Sequence, residues 1–348
     1  MNAPRKIFVH GLGAVSPAGW GVAALQTALT KCHLIPTESV VRPGWEKPLC
    51  IRNVPPPEIR PAFFAHPRLR RASDISLHTV AAALEALGGD VVRIQGGDLR
   101  LGIIVCTMAG SVAYSRRFYE EVLREPALAS PQFFPETVFN APASHLAAYL
   151  NSSGTGYTLV GDDGTFFQGL AVAADWLLAD RADGVVVVGA EEMDWVVTEA
   201  IRLFQHDAIH SAGSGAIYLR KEKPPAVGAE LVGITDSFLF TQLQNRSEAA
   251  RKMRAQLPPC GPDELLCVSA QPNPLAAAAE NMAWRDWSGR RLVPKSILGE
   301  GFTASAAWQC VAAGNAIASG QFSAVNASVV GANQQAIGAR FRACAKTG

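Results

Sequence analysis

The stretch TLVGDDGTFFQGLAVAADWLLADRADGVVVVGAEEMD, Thr158 to Asp194, constrains the fold more than any other part of the chain. An apolar run ends at Val160 and a tight turn follows through Gly161-Asp162-Asp163-Gly164. An Ala/Leu-rich segment then reads as a helix leading to Asp180, and Val185–Val188 as a second apolar strand, buried by its length and valine content. The unit is strand, turn, helix, strand, with two adjacent carboxylates where the helix starts.

The same grammar extends along the chain. Lys6–Val9 reads as a short strand running into the turn Gly11-Leu12-Gly13, followed by a helix over Val22–Leu29. Residues 35–67, with Pro55-Pro56-Pro57, carry no period long enough for an element and read as a surface excursion. A helix over Ser76–Leu87 closes at Gly88-Gly89, and Leu101–Cys106 is a buried strand. An amphipathic segment spans Tyr114–Leu123, an aromatic loop Pro131–Pro142, and a helix Ala143–Leu150. Further strands are expected at Ser214–Leu219, Leu231–Thr235, Leu265–Ser269, Ser328–Gly331 and Gln335–Phe341, with helices at Gln242–Met253, Pro274–Trp284 and Phe302–Ala318. Strands alternating with helices in both parts predict mixed α/β layers and suggest an internal duplication.

The length of 348 residues and the 49% hydrophobic content allow a large core. A formal net charge of +1 supplies no global field for nucleic acid or an anionic membrane, and no apolar stretch reaches membrane-spanning length. The N-terminus has a basic start without the apolar run of a signal peptide. Seven cysteines are scattered with no CxxC pair, which reads as buried thiols in a reducing, cytoplasmic setting. His10, His145, His206 and His210 stand apart from any ligand pattern, so no metal is expected. Gly11-Leu12-Gly13 lacks the third glycine and the later acid of a dinucleotide site, so no cofactor is expected either.

Several side chains admit two readings. Asp162 and Asp163 form a paired-acid site, or they cap the following helix by accepting backbone N–H bonds. Lys295 and Glu300 form a buried ion pair, or Glu300 acts as a base. Arg68, Arg70, Arg71, Arg116 and Arg117 are a solvated face or a docking surface for an acidic partner. Phe133, Phe134 and Phe139, beside Asn140, and likewise Phe166 and Phe167, close the core or line a pocket.

Six segments in chain order carry a resemblance: FVHGLGAVSPAGWG, RRASDISLHTVAAALEAL, VVVVGAEEMD, HSAGSGAIYLR, VPKSILGEGFTASAAWQCVAA and SVVGANQQAI. Together they resemble the β-ketoacyl-ACP synthase family of the thiolase-like superfamily. The resemblance implies an α/β fold with a thiolase-like five-layered αβαβα core built from two similar halves, here 1–220 and 221–348, and a dimer. It also places Phe133, Phe134, Phe139, Asn140 and Asn333 among interface or acyl-pocket candidates.

The departures from that pattern bear on function. Family members use a cysteine nucleophile and, in the elongating branch, two histidines that stabilise developing oxyanions. Here Asp162 or Asp163 matches the cysteine, Gln271 stands near the first histidine and Glu300 replaces the second, while Lys295, Ser296 and Gly299 stay in place. A carboxylate does not inherit the role of a thiolate, and an ionised glutamate repels an oxyanion. The resemblance therefore points to a non-catalytic subunit like the chain-length factors of type II polyketide and aryl-polyene systems. Such a subunit forms a heterodimer with a catalytic ketosynthase, which draws acyl groups from acyl carrier protein. The alternatives are a stand-alone acyl-thioester hydrolase or acyltransferase using Asp162, Asp163 or Glu300, and a homodimeric acyl-binding protein.

Overall fold

Apolar strands alternate with Ala/Leu-rich helices throughout the computed structural model, which describes residues 6–206, 208–224, 228–241, 243–259, 261, 263–270, 274–332 and 335–344. The first part runs β1 (Ile7–Ser16), β2 (Gly19–Trp20), α1 (Val22–Lys31), β3 (Glu38–Val40), β4 (Leu49–Arg52), α2 (Asp74–Leu87), α3 (Asp90–Gln95) and β5 (Leu101–Thr107). It continues with α4 (Val112–Arg124), α5 (Ala141–Tyr149), β6 (Gly156–Val160), α6 (Thr165–Leu178), β7 (Gly184–Glu191), α7 (Trp195–Arg202), β8 (His210–Ser211) and β9 (Gly213–Arg220). The second part runs β10 (Ala229–Ile234), β11 (Phe238–Leu239), α8 (Leu243–Ala255), β12 (Glu264–Val268) and α9 (Pro274–Ala283). It ends with β13 (Arg290–Leu292), α10 (Pro294–Leu298), α11 (Phe302–Ala318), β14 (Ala324–Val330) and β15 (Gln335–Ala343).

The main strands follow the order β13-β12-β14-β15-β10-β1-β9-β7-β5-β6. One pairing pattern occurs twice. In the first set β1–β9 and β9–β7 are antiparallel while β7–β5 and β5–β6 are parallel. In the second, β10–β15 and β15–β14 are antiparallel while β14–β12 and β12–β13 are parallel. The sets meet where β1 pairs with β10, Ile7 opposite Leu231. Helices α2 and α5 cover the outer face of the first set, α8 and α9 that of the second, and α6 and α11 lie between, touching strands of both. That stacking is a five-layered αβαβα arrangement.

Three apolar clusters fill the gaps. One forms under α2 and α5 around Ile75, Val80 and Leu146, a second lies centrally around Phe166, Val187, Trp308 and Val329, and a third under α8 and α9 around Met253, Leu266 and Trp284. The central position explains why α11 is apolar on all sides, with all but two of its residues buried. Its small residues, Ala304, Ala306, Ala307, Ala312 and Ala313, let layers approach on both faces. The same logic makes every residue of β7 buried.

The structure corrects several local expectations. The strand at the N-terminus does not stop at Val9 in a glycine turn but continues through Gly11 and Gly13 to Ser16. Those glycines are required by packing: a Cβ would sit 1.8 Å from the Ala86 carbonyl oxygen at Gly11 and 1.9 Å from that of Ala82 at Gly13. Their absence of side chains lets α2 lie directly on β1. Residues 35–67 are not only a surface excursion, because β3 and β4 pair with each other and β4 with β8 in a separate three-stranded sheet. Ile51 and Arg52 are thereby buried. Helix α5 starts at Ala141, inside the expected loop, and β14 starts at Ala324. Helices α3 and α7 and strand β13 were not expected; α7 begins with Asp194 accepting a hydrogen bond from Val196 N at 3.0 Å. No helix among the described residues is long and apolar enough to cross a membrane.

Candidate functional site

The starts of the two central helices meet at one lysine. Asp163 lies in the turn between β6 and α6, Glu300 in the turn before α11, and Lys295 on α10. Lys295 Nζ donates to Glu300 Oε2 at 2.7 Å and also to Asp163 Oδ2. All three side chains are buried. Glu300 Oε1 accepts from Phe302 N at 2.8 Å, so the same carboxyl caps α11. Gly299 reaches this geometry with φ of +98°, and a Cβ there would stand 2.7 Å from the Ile209 carbonyl oxygen. The ion pair expected between Lys295 and Glu300 is present, with Asp163 as a third member that joins the two parts of the chain.

The hydrogen bonds of Asp162 run elsewhere. Its Oδ1 accepts from Gly164 N at 3.1 Å and from Gln335 Nε2 at 3.1 Å. A Cβ on Gly331 would lie 2.0 Å from Asp162 Oδ2, so the glycine of the terminal loop makes room for this carboxylate. Arg246 is buried nearby: desolvation lowers its guanidinium, while Asp162 and Asp163 favour its charge. Asp162 thus holds the turn through the N–H of Gly164, the residue before α6, while the two carboxyls bonded directly to Lys295 are those of Asp163 and Glu300. Gln271 and Asn333 lie outside the described residues.

Burial dominates the electrostatics. It raises the Glu300 carboxyl to about 7, with Asp163 pushing the same way and Lys295 opposing. Burial would lower the Lys295 ammonium, but Asp163 and Glu300 outweigh it and hold it above its ordinary value. Beside the cluster, His210 stacks on Phe302 with ring centroids 5.7 Å apart, and burial, then the Lys295 charge, lowers its imidazole to about 4. Neither ring nitrogen has a hydrogen-bond partner among the described residues. The sequence left His210 isolated; only the bridge between His210 and Glu300 places it here.

Sequence reasoning also missed Glu191 and Glu192. Glu191 accepts from Ala109 N at 3.1 Å, Thr107 Oγ1 at 3.2 Å and Thr303 Oγ1 at 2.9 Å, fixing the turn after β5 against α11. Glu192 accepts from Ala113 N at 2.8 Å and Ile75 N at 3.2 Å, serving the starts of α4 and α2 together. Burial raises both carboxyls to about 7. Two adjacent acids at the end of an otherwise apolar strand were the available signal, because charges there need a dedicated set of donors.

The acyl transfer that the resemblance implies starts from a cysteine thiolate. The expected burial of the cysteines holds for Cys106, Cys267 and Cys310, which belong to the central apolar cluster and whose thiols burial raises, that of Cys267 to about 12, but not for Cys32 and Cys50, which are exposed. The side chains at the start of α6 are instead carboxylates engaged with Lys295, Gln335 and the Gly164 N–H. Among the described residues no three His, Cys, Asp or Glu side chains converge as a metal site.

The remaining candidates divide by exposure. Phe166 and Phe167 are fully buried in the central cluster. Phe133 is half-buried, edge-on to Tyr114 at 5.8 Å, with the Arg117 guanidinium 4.0 Å from its ring centre. Phe134, Phe139 and Asn140 are exposed, and Phe139 packs over Gly110 in the turn after β5. Arg71 bonds Gln132, so Arg71 and Arg117 flank Phe133. Arg68 and Arg70 are exposed on the segment before α2. Arg116 turns inward, with Nε 3.0 Å from Asp194 Oδ2 and Nη1 2.7 Å from Glu120 Oε1, so its charge is committed within the fold.

No protein-family model matches the sequence, and no curated protein matches it. Solved structures do match. An ishigamide ketosynthase/chain length factor is 17% identical with a TM-score of 0.78, covering 98% of this chain and 100% of that one. A type II polyketide synthase acyl-carrier protein in complex with its ketosynthase bound to the hexaketide is 14% identical, with a TM-score of 0.80 and coverage of 98% and 100%. A ketosynthase in complex with its chain length factor from Xenorhabdus doucetiae is 13% identical, with a TM-score of 0.75 and coverage of 99% and 100%. The repeated strand pattern, the two buried central helices and these full-length superpositions together give the chain the thiolase-like fold of β-ketoacyl synthases and chain-length factors.

Proposed function

We propose that this chain is a ketosynthase-like subunit without condensing chemistry of its own, its halves 1–220 and 221–348 pairing as one unit with a catalytic ketosynthase and shaping the tunnel that receives the growing acyl chain. The observation that carries this reading is the Asp163–Lys295–Glu300 cluster. It fills the helix start where the resemblance calls for a nucleophile with buried, mutually bonded charges. The acyl groups would come on acyl carrier protein, with Arg71, Arg117, Arg68 and Arg70 as its exposed cationic contacts. The free thiols among the described cysteines fit a reducing cytoplasm.

Exposed apolar side chains around one rim of the sheet support the partner. Tyr157 and Val160 on the outer strand β6, Phe134 and Phe139 beyond it, and Tyr119 and Leu123 on α4 are all well exposed. Gly161 N donates to Thr107 O at 3.1 Å, which brings the end of β6 next to the turn that Phe139 covers. Apolar side chains beside an unpaired strand edge are what a second chain can cover.

The test is co-expression with the ketosynthase encoded nearest to this chain, purification through a tag on this chain alone, and assay of malonyl-dependent elongation on carrier protein. A stoichiometric complex whose elongation stops when the partner's nucleophilic cysteine is replaced is the expected result. Thioester turnover by this chain alone, lost in Asp163→Asn or Glu300→Gln, would overturn it.

A further inference from the structure

Arg52 is a buried arginine that meets no acid among the described residues. It lies at the end of β4, 4% exposed, and makes no ion pair with any of them. Its Nε donates to the Ile35 carbonyl oxygen at 2.8 Å, and its guanidinium makes no other hydrogen bond to the described residues. Desolvation lowers its guanidinium below the ordinary value, and no carboxylate among the described residues is bonded to it. Burying an unpaired guanidinium is costly, so such groups are ordinarily matched by an anion.

The matching anion has a place to sit. Arg52 lines a cavity of about 220 Å³ whose other walls include Ala208, Val293, Lys295, Ser296 and Glu300. Because Nε is committed to Ile35, the open edge of the fork is the Nη1/Nη2 pair, whose two parallel N–H groups suit a carboxylate held by both oxygens. Lys295 Nζ directs two of its three donors to Asp163 and Glu300, leaving one. Ser296 Oγ donates to the Val293 carbonyl oxygen at 2.7 Å and so is not a donor to a ligand. Charge selects among anions: with Glu300 carrying its proton, Lys295 is matched by Asp163 and Arg52 is left to balance a monoanion, whereas a phosphate dianion would leave a negative charge buried beside Glu300.

We infer that this cavity binds the carboxylate of a small monoanionic acid or acyl chain, held end-on by Arg52. The site belongs to this chain by itself and stands whether or not the chain pairs with a ketosynthase.

Calorimetric titration of the full chain with sodium acetate at low chloride tests it, with inorganic phosphate as a second arm. Saturable one-to-one acetate binding is expected, at least tenfold weaker in Arg52→Lys, which keeps the charge but loses the fork, and abolished in Ala208→Phe, which fills the cavity while leaving Arg52 in the chain. Circular dichroism checks that each variant is folded. Absence of saturable acetate binding by the unmodified chain, tighter binding of phosphate than of acetate, or unchanged acetate affinity in folded Arg52→Lys and Ala208→Phe would each overturn the inference.

Discussion

The two ends of the sheet differ although the strand patterns leading to them are the same. β13 closes one end with three residues, of which Arg290 and Arg291 are exposed charges. β6 closes the other with five, Gly156–Val160, carrying no charge, with Tyr157 48% and Val160 53% exposed. A short charged edge repels strand addition, whereas a longer apolar one invites it. The two parts share one strand pattern inside and differ at their rims, so the duplicated pattern accounts for the core while the asymmetry marks β6 as the edge that the proposed partner would cover.

Interior equivalence is tested most severely at the link between the parts. Lys295→Met leaves Asp163 and Glu300 buried without their shared cation, and a loss of about 3–5 kcal/mol is expected in urea unfolding. A change below about 1 kcal/mol would mean that the carboxyls are satisfied without it. The rim contrast is tested by charging each edge. Val160→Lys should leave unfolding within about 0.5 kcal/mol of the parent chain, yet weaken capture of the partner at least tenfold in the co-purification assay. Arg290→Glu on β13 should leave capture unchanged, and equal effects at the two edges would remove the asymmetry argument.

A further test is a pH dependence. Glu300 is raised to about 7 by burial, so the folded chain keeps a proton that the unfolded chain releases near the ordinary glutamate value of 4.5. Its contribution to stability is full below 4.5 and is lost as pH rises through 7. Relative to Glu300→Gln, the parent chain should therefore lose stability across that window, by at most about 1.4 kcal/mol per pH unit. A difference between the two that is flat from pH 4.5 to 7 would show Glu300 ionised throughout.

Much of the fold was legible because the elements are long and strongly patterned. The bounds of α11, Phe302–Ala318, were read from its composition, and β7 from its run of valines. What escaped was set by neighbours distant in sequence. The pairing of β4 with β8 makes Arg52 interior, although a proline-rich surrounding reads as surface. Gly11 and Gly13 read as a turn because single glycines usually mark one; here they mark contact with α2. His210 looked isolated, since its relation to Glu300 crosses 90 residues of chain.

The amino-acid order by itself determined the alternation of elements, the absence of a thiol at the start of α6 and the presence of Asp162, Asp163, Lys295 and Glu300 as the charges to be accommodated. Tertiary structure decided how they are accommodated. Adjacent residues in a turn point their side chains in different directions, so that Asp163 meets Lys295, 132 positions away, while Asp162 meets Gln335, 173 positions away. Local pattern follows from each residue's own preferences; the pairing of buried charges follows from which layers come together, because desolvation makes every such charge depend on the partner that packing brings to it.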